Sequence, residues 1–166
     1  MRNFFTRFYS SERGLAAVEF AFVLPIILSM LMGLIELSQA SGARAKIINM
    51  TSTGGDLIAQ ESSATGADLD TVFGALTTML FPNDTTQATI TITSVIDGGA
   101  GKNPIVAWSC SRGLSPAAAI KGSAPSPAIP AGLLTAGSGG SVIWSRITYR
   151  YNSFLVYFMP AWSNWT

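Results

Sequence analysis

A single carboxylate, Glu19, stands inside an otherwise uncharged apolar run from residue 15 to residue 35, LAAVEFAFVLPIILSMLMGLI. At 1.5 Å per helical residue the run is about 31 Å long, enough to cross a bilayer core. A glutamate left unpaired against lipid costs roughly 2.5 kcal/mol or more, so Glu19 calls for an interfacial position, a partner or a function. Arg13 and Gly14 come just before the run. If the chain were cut after Gly14, the new amine of Leu15 would be a cation about one helical turn before Glu19. That amine can pair with the Glu19 carboxylate of a neighbouring copy. The chemistry in view is thus hydrolysis of one peptide bond in this chain, followed by pairing of the charge it releases.

Gly14, the following Leu-Ala-Ala-Val-Glu-Phe and Pro25 within the apolar run resemble the prepilin cleavage motif of the TadE/TadG-like minor pilins (pseudopilins) of tight-adherence pili, a type IV pilus subclass. The motif covers roughly residues 12–36. The resemblance implies a processing site at Gly14 and Leu15, cut by a prepilin peptidase, with Glu19 as the assembly carboxylate and Arg13, Phe20 and Pro25 flanking it. It further implies other pilins and minor pilins, the inner-membrane pilus assembly machinery and membrane lipid as partners, and no cofactor. The Glu-Phe pair resembles the minor pilins, whereas the major pilins of these systems usually carry Glu-Tyr and are much shorter. The expected product is a subunit of the bacterial inner membrane that is needed to assemble a tight-adherence pilus and can be incorporated into it.

Two other readings share the topology. An uncleaved single-span membrane protein would keep the helix as an ordinary anchor for an extracytoplasmic binding head, with Glu19 reaching the headgroups and Gly14 a loop residue. An exported enzyme anchored by the helix would need a clustered polar site in the head. An ordinary signal peptide fits less well, because its apolar region is normally about 7–15 residues long. Ala43 and Ala45 offer an A-x-A-like site, but Glu36 and Gln39 separate them from the run.

The elements that position these residues follow from composition and periodicity. Residues 1–14 read as a cleavable basic leader, with Arg2, Arg7 and Arg13 against one acid, Glu12. Positive charge before the span places the N-terminus in the cytoplasm and the bulk of the chain outside. Beyond the span, Ala40, Ala43, Ile47, Met50, Gly54 and Leu57 recur at spacings of three and four, so residues 36–60 read as an amphipathic continuation of the helix as a stalk. Ile47, Met50 and Leu57 are expected in the head's own core. Gly54 and Gly55 weaken the helix end and are candidates to stop it early.

Residues 61–166 read as an α+β, pilin-like head with an antiparallel sheet. A helix carries Leu69, Val72, Phe73, Leu76, Met79 and Leu80 on one face, with Asp68 as expected N-cap and Pro82 closing it. Residues 88–95 alternate threonine with apolar positions and predict a strand with Ile90 and Ile92 inward. Residues 105–110 predict its hairpin partner, with Val106, Trp108 and Cys110 on one side. Residues 111–140 are rich in Pro and Gly and predict a mobile surface loop. Residues 142–151 predict a last strand with Ile143, Ile147, Tyr149 and Tyr151 on one face and Trp144, Arg146 and Arg150 on the other. The apolar tail 154–160, with Trp162 and Trp165, reads as a further core strand or as a partner or membrane-proximal surface.

Catalysis finds little support. The chain has no histidine, which removes Ser-His and Cys-His pairs and imidazole metal ligands together. Gly98-Gly-Ala-Gly-Lys102 resembles the end of a phosphate loop, but Ile96 stands where its first glycine belongs and Asn103 where Ser or Thr should bind magnesium, so it reads as a turn. Asp68 and Asp70 flank a helix start, where carboxylates offset the dipole. No spacing supports a Ser-Lys pair using Lys102 or Lys121. A formal charge of +1 with scattered Lys and Arg offers no stripe for nucleic acid. The one cysteine, Cys110, excludes an internal disulfide and reads as a small apolar residue. No catalytic, metal or cofactor-binding residue is expected, and the predicted role is assembly, not turnover.

Overall fold

The computed structural model describes residues 12–61, 63–100, 102–130, 132–135 and 137–153. Arg2 and Arg7 of the expected leader, and the apolar tail 154–160 with Trp162 and Trp165, lie outside the described residues. The elements are helices α1 (Glu12–Ala59) and α2 (Gly66–Met79), a short 3-10 turn at Thr85–Gln87, and strands β1 (Ala88–Ile96), β2 (Ile105–Gly113) and β3 (Ser141–Tyr149). The result is a long N-terminal apolar helix followed by a small α+β head with a three-stranded antiparallel sheet, in the order β2-β1-β3.

The chain divides into two compact units, with the break in α1 between Ser41 and Gly42. Up to Ser41, α1 exposes almost every large apolar side chain it carries, including Phe20, Phe22, Ile26, Met30 and Leu34. It is long and apolar enough to cross a membrane, and none of its most apolar stretch is buried in the molecule. In water such a surface would be strongly unfavourable, so the helix suggests membrane association.

The second unit, Gly42–Tyr151, contains the head and the last turns of α1. There Ala43, Met50, Gly54 and Ile58 are buried and Ile47 packs against the core. Leu57, expected in that core, is 37% exposed. At 100° per residue it lies about 60° from the centre of the buried stripe, and Ile58 takes the inward place. Gly54 and Gly55 do not end the helix, which continues to Ala59. Their lack of side chains lets α1 approach the sheet and α2 closely: a Cβ on Gly54 would stand 2.8 Å from Leu76 Cδ1 and 3.3 Å from Ser145 Oγ. Tertiary packing here overrides the weak helix propensity of glycine.

In α2, Leu69, Phe73 and Leu76 face the core, joined by Leu80, while Val72 is partly buried and Met79 exposed. The N-cap is Thr65 rather than Asp68. Thr65 Oγ1 accepts from the Asp68 backbone N–H, and the Asp68 carboxylate accepts from the Thr65 N–H at 2.8 Å. This reciprocal box satisfies two amides that a helix start otherwise leaves unpaired.

Strand β1 is central, with Ile90 and Ile92 in the core, and β2 forms the expected hairpin with it. The pairing skips a residue between Ser94 and Val95: Ser94 pairs with Trp108 but Val95 with Val106, so Ala107 is an extra residue in β2. A bulge of this kind reverses the alternation of sides. Trp108 and Cys110 therefore pack on the core face, as expected, while Val106 turns to the opposite face beside Val95, where both are fully buried. In β3, Ile143, Ile147 and Tyr149 are on the core face; the strand ends at Tyr149, so Arg150 and Tyr151 lie beyond it.

Residues 114–140 take the chain from the β2 edge to the β3 edge, across β1. The route is tied down rather than free. Val106 N–H donates to Ser123 O at 2.9 Å and Gly122 N–H to Val106 O at 2.8 Å along the β2 edge. Arg146, whose guanidinium lies 4.6 Å over the Trp144 ring, donates to Ser126 O at 3.0 Å. Asp97 then accepts from the backbone N–H of Gly137 and Gly139 at the other end. The expected mobile loop is thus a crossover held by hydrogen bonds at both edges of the sheet, and Thr93 and Val95, on the face turned away from the helices, are buried.

Candidate functional site

The residues with a chemical pattern of their own sit in α1 around the start of the apolar run. The described part of helix α1 runs from Glu12, so the Gly14–Leu15 peptide bond lies within helix. Leu15 is 64% exposed, Glu19 is exposed and Phe20 is 60% exposed. Four residues of helix separate Leu15 from Glu19 by about 6 Å along the axis and about 40° around it, so both lie on one side. The fold thus brings together the junction and the carboxylate that the sequence singles out. Glu19 is exposed and has no hydrogen-bonded or ionic partner among the described residues.

Pro25 lies inside α1 without ending it. It cannot donate to the Ala21 carbonyl, so one rung of the helix ladder is missing there. Ser29 Oγ donates to the Pro25 carbonyl at 2.7 Å, one turn further on. The apolar run therefore lacks a backbone rung near its middle.

Glu36, at the far end of the run, was not predicted from sequence to matter. Both of its carboxylate oxygens are shielded from solvent and have no hydrogen-bond partner among the described residues. Its spacing from Glu19 gives no warning of this, because shielding depends on packing and not on pattern.

The carboxylates Asp68, Asp70, Asp84 and Asp97 of the head have structural partners, whereas Ser145 Oγ is buried without one among the described residues. Asp97 closes the 97–102 turn. Its carboxyl is held below its ordinary value by the Gly99 backbone N–H first, against a desolvation effect, with further amides from Gly139, Gly137 and Ser138. Gly99 adopts φ +98°, and a side chain on Gly98 would collide with the Asn103 carbonyl, so the glycines serve the turn. Asp68 is lowered by its Thr65 hydrogen bonds, and Asp84 by those of Thr86. Tyr149 is raised, by burial and then by the Asp84 charge. Asp70 pairs with Arg112 on the surface, where both side chains are more than half exposed, and such pairs contribute little. Cys110 is partly buried and opposite Ile92. Among the described residues no three His, Cys, Asp or Glu side chains form a group able to hold a metal ion.

In comparison with known families, residues 14–56 fit the family model described as TadE-like protein. The matched stretch begins at Gly14 and lies entirely within α1, taking in the junction, Glu19, Pro25, Glu36 and the buried Met50 and Gly54. No curated protein and no solved structure matches the chain.

Proposed function

Starting from a helix that is consistent with a TadE-like protein and so points to a Tad pilus-related role, we propose that this chain is a minor pilin, or pseudopilin, needed to assemble a tight-adherence type IV pilus. A prepilin peptidase cuts it between Gly14 and Leu15. The α1 segment 15–35 holds the subunit in the bacterial inner membrane, with the N-terminus cytoplasmic and the head on the other side, in line with the positive-inside rule. The released Leu15 ammonium and the Glu19 carboxylate of an adjacent pilin or minor pilin then neutralise each other. In a lipid environment this pairing supplies the partner that an isolated Glu19 lacks. Pro25 loosens one rung of the helix and eases its bending as the subunit leaves the bilayer for the assembly. The head's role is binding within the pilus machinery rather than catalysis.

The observation that carries this reading is the placement of the Gly14–Leu15 bond one turn before Glu19, which is exposed and without a partner among the described residues, near the start of the apolar run. Mass spectrometry of the N-terminus, in cells with and without the peptidase, is the direct test. The expected N-terminus is Leu15, and Gly14→Glu should leave the leader attached. Unchanged processing of Gly14→Glu, or an intact Met1 terminus in the presence of active peptidase, would replace this reading with that of an uncleaved single-span anchor.

A further inference from the structure

The Gly14–Leu15 bond is inside a helix, and this constrains how it can be cut. Hydrolysis adds water to the Gly14 carbonyl carbon and breaks the C–N bond to Leu15, leaving a Gly14 carboxylate and a Leu15 ammonium. The carbonyl must be open to attack and its oxygen free to meet donors that stabilise the developing negative charge. In an α-helix running from Glu12 to Ala59, that oxygen instead accepts from the N–H of Val18, four residues on. The helix backbone also surrounds the carbonyl carbon on the side from which attack would come.

We propose that local opening of α1 through Val18 precedes cleavage and limits its rate, so that this stretch of helix is a conformational gate on processing. The proposal rests on the cleavage reading above. Opening residues 12–17 breaks the bonds that the Glu12, Arg13 and Gly14 carbonyls accept from Ala16, Ala17 and Val18. This opening lies at the edge of the apolar run, where water can take up the freed groups; deeper in lipid each freed group would be far more costly. Gly14, the poorest helix former among non-proline residues, sits at the bond itself. The glycine thus has a second role besides fitting a peptidase pocket: it lowers the stability of the turn that must open.

The gate is tested with the full chain, made without the peptidase and reconstituted in lipid nanodiscs. Ala16→Gly and Ala17→Gly each weaken the helix within the opened stretch, and each should speed cleavage by added prepilin peptidase about fourfold to fivefold at limiting enzyme. Ala21→Gly, beyond the opened stretch, should leave the rate unchanged. Amide hydrogen exchange at Val18, read before any peptidase is added, should rise by the same factor as cleavage in the first two variants. Faster cleavage with unchanged Val18 exchange would mean that the substitutions act on peptidase contacts, and would overturn the gate. Cleavage of the unaltered chain at a rate indifferent to Ala16→Gly and Ala17→Gly would overturn the gate while leaving the cleavage reading intact. No cleavage of the unaltered chain at Leu15 would remove both.

Discussion

Gly54 and Gly55 are consecutive in α1 and gain the same helix propensity on becoming alanine, up to about 1 kcal/mol each. Their surroundings differ. A methyl on Gly55 would meet only Ser145 Cβ, at 3.8 Å, which is ordinary contact, so Gly55→Ala should stabilise the head by about 0.5–1 kcal/mol. A methyl on Gly54 would come within 2.8 Å of Leu76 Cδ1, well inside the usual carbon separation of about 3.5–4.0 Å. Leu76 is fully buried in the core cluster, so turning its side chain away disturbs its core neighbours. Overpacking of this kind costs about 1–3 kcal/mol, which outweighs the gain in propensity. Gly54→Ala should therefore be less stable than Gly55→Ala by about 1–3 kcal/mol, a difference from which propensity cancels. Urea unfolding of the full chain in detergent, followed by tryptophan fluorescence, measures both midpoints. A Leu76→Val background removes the colliding carbon, and there Gly54→Ala should change from destabilising to neutral or stabilising. Equal midpoints for the two alanine variants, or an undiminished penalty in the Leu76→Val background, would show that α1 is not seated on Leu76 and Ser145 as described.

Three further outcomes are expected. Glu19→Ala should insert and be processed, since loss of a charge makes the helix more apolar, yet fail to enter or support pili; normal piliation by electron microscopy would refute the assembly role, and function retained in Glu19→Gln would show that hydrogen bonding suffices without charge. Cys110→Ser should cost on the order of 1–3 kcal/mol at most, for a hydroxyl without a partner in place of a thiol, with no loss of pilus function; thiol labelling should be slow in the folded protein and fast in denaturant, and rapid native labelling or a reducible dimer would place Cys110 at a partner surface. The Asp97 carboxyl is depressed in the folded state, so what it adds to the 97–140 clasp is fully present above its ordinary value near 3.8 and is lost as pH falls through the lower folded value. The Gly99 and Gly139 amide NMR shifts should accordingly titrate with a midpoint below 3.8, and a midpoint at or above it would contradict the clasp.

What could be read from the sequence was whatever depends on neighbours along the chain. The periodicity of 36–60 and 69–80 and the alternation of 88–95 survive as α1, α2 and β1 because each records one face of one element. The N-cap of α2 was also legible, since Thr65 and Asp68 have the spacing of a capping box, but the rank of aspartate as a cap drew the choice to the wrong member of the pair. The side on which Val106 packs was not legible. It is set by the extra residue Ala107, which exists only relative to β1.

The segment 111–140 shows most clearly where local reading ends. Its Pro, Gly, Ser and Ala content describes what the backbone can do without secondary structure, and that composition suits a free loop as well as a covering one. The difference lies in strand order. With β1 between β2 and β3, and β2 and β3 both antiparallel to it, the chain leaves β2 at the end of the sheet opposite to where β3 begins and on the opposite edge. A link across both the length and the width of the sheet must be long, and one that passes over the face away from α1 and α2 can cover Val95 and Val106, which would otherwise be apolar surface. The same logic divides the site. Gly14, Leu15 and Glu19 stand out in the sequence because the chemistry they suggest is one helical turn long, whereas the shielding of the Glu36 carboxylate depends on what packs around it and leaves no mark in residue spacing.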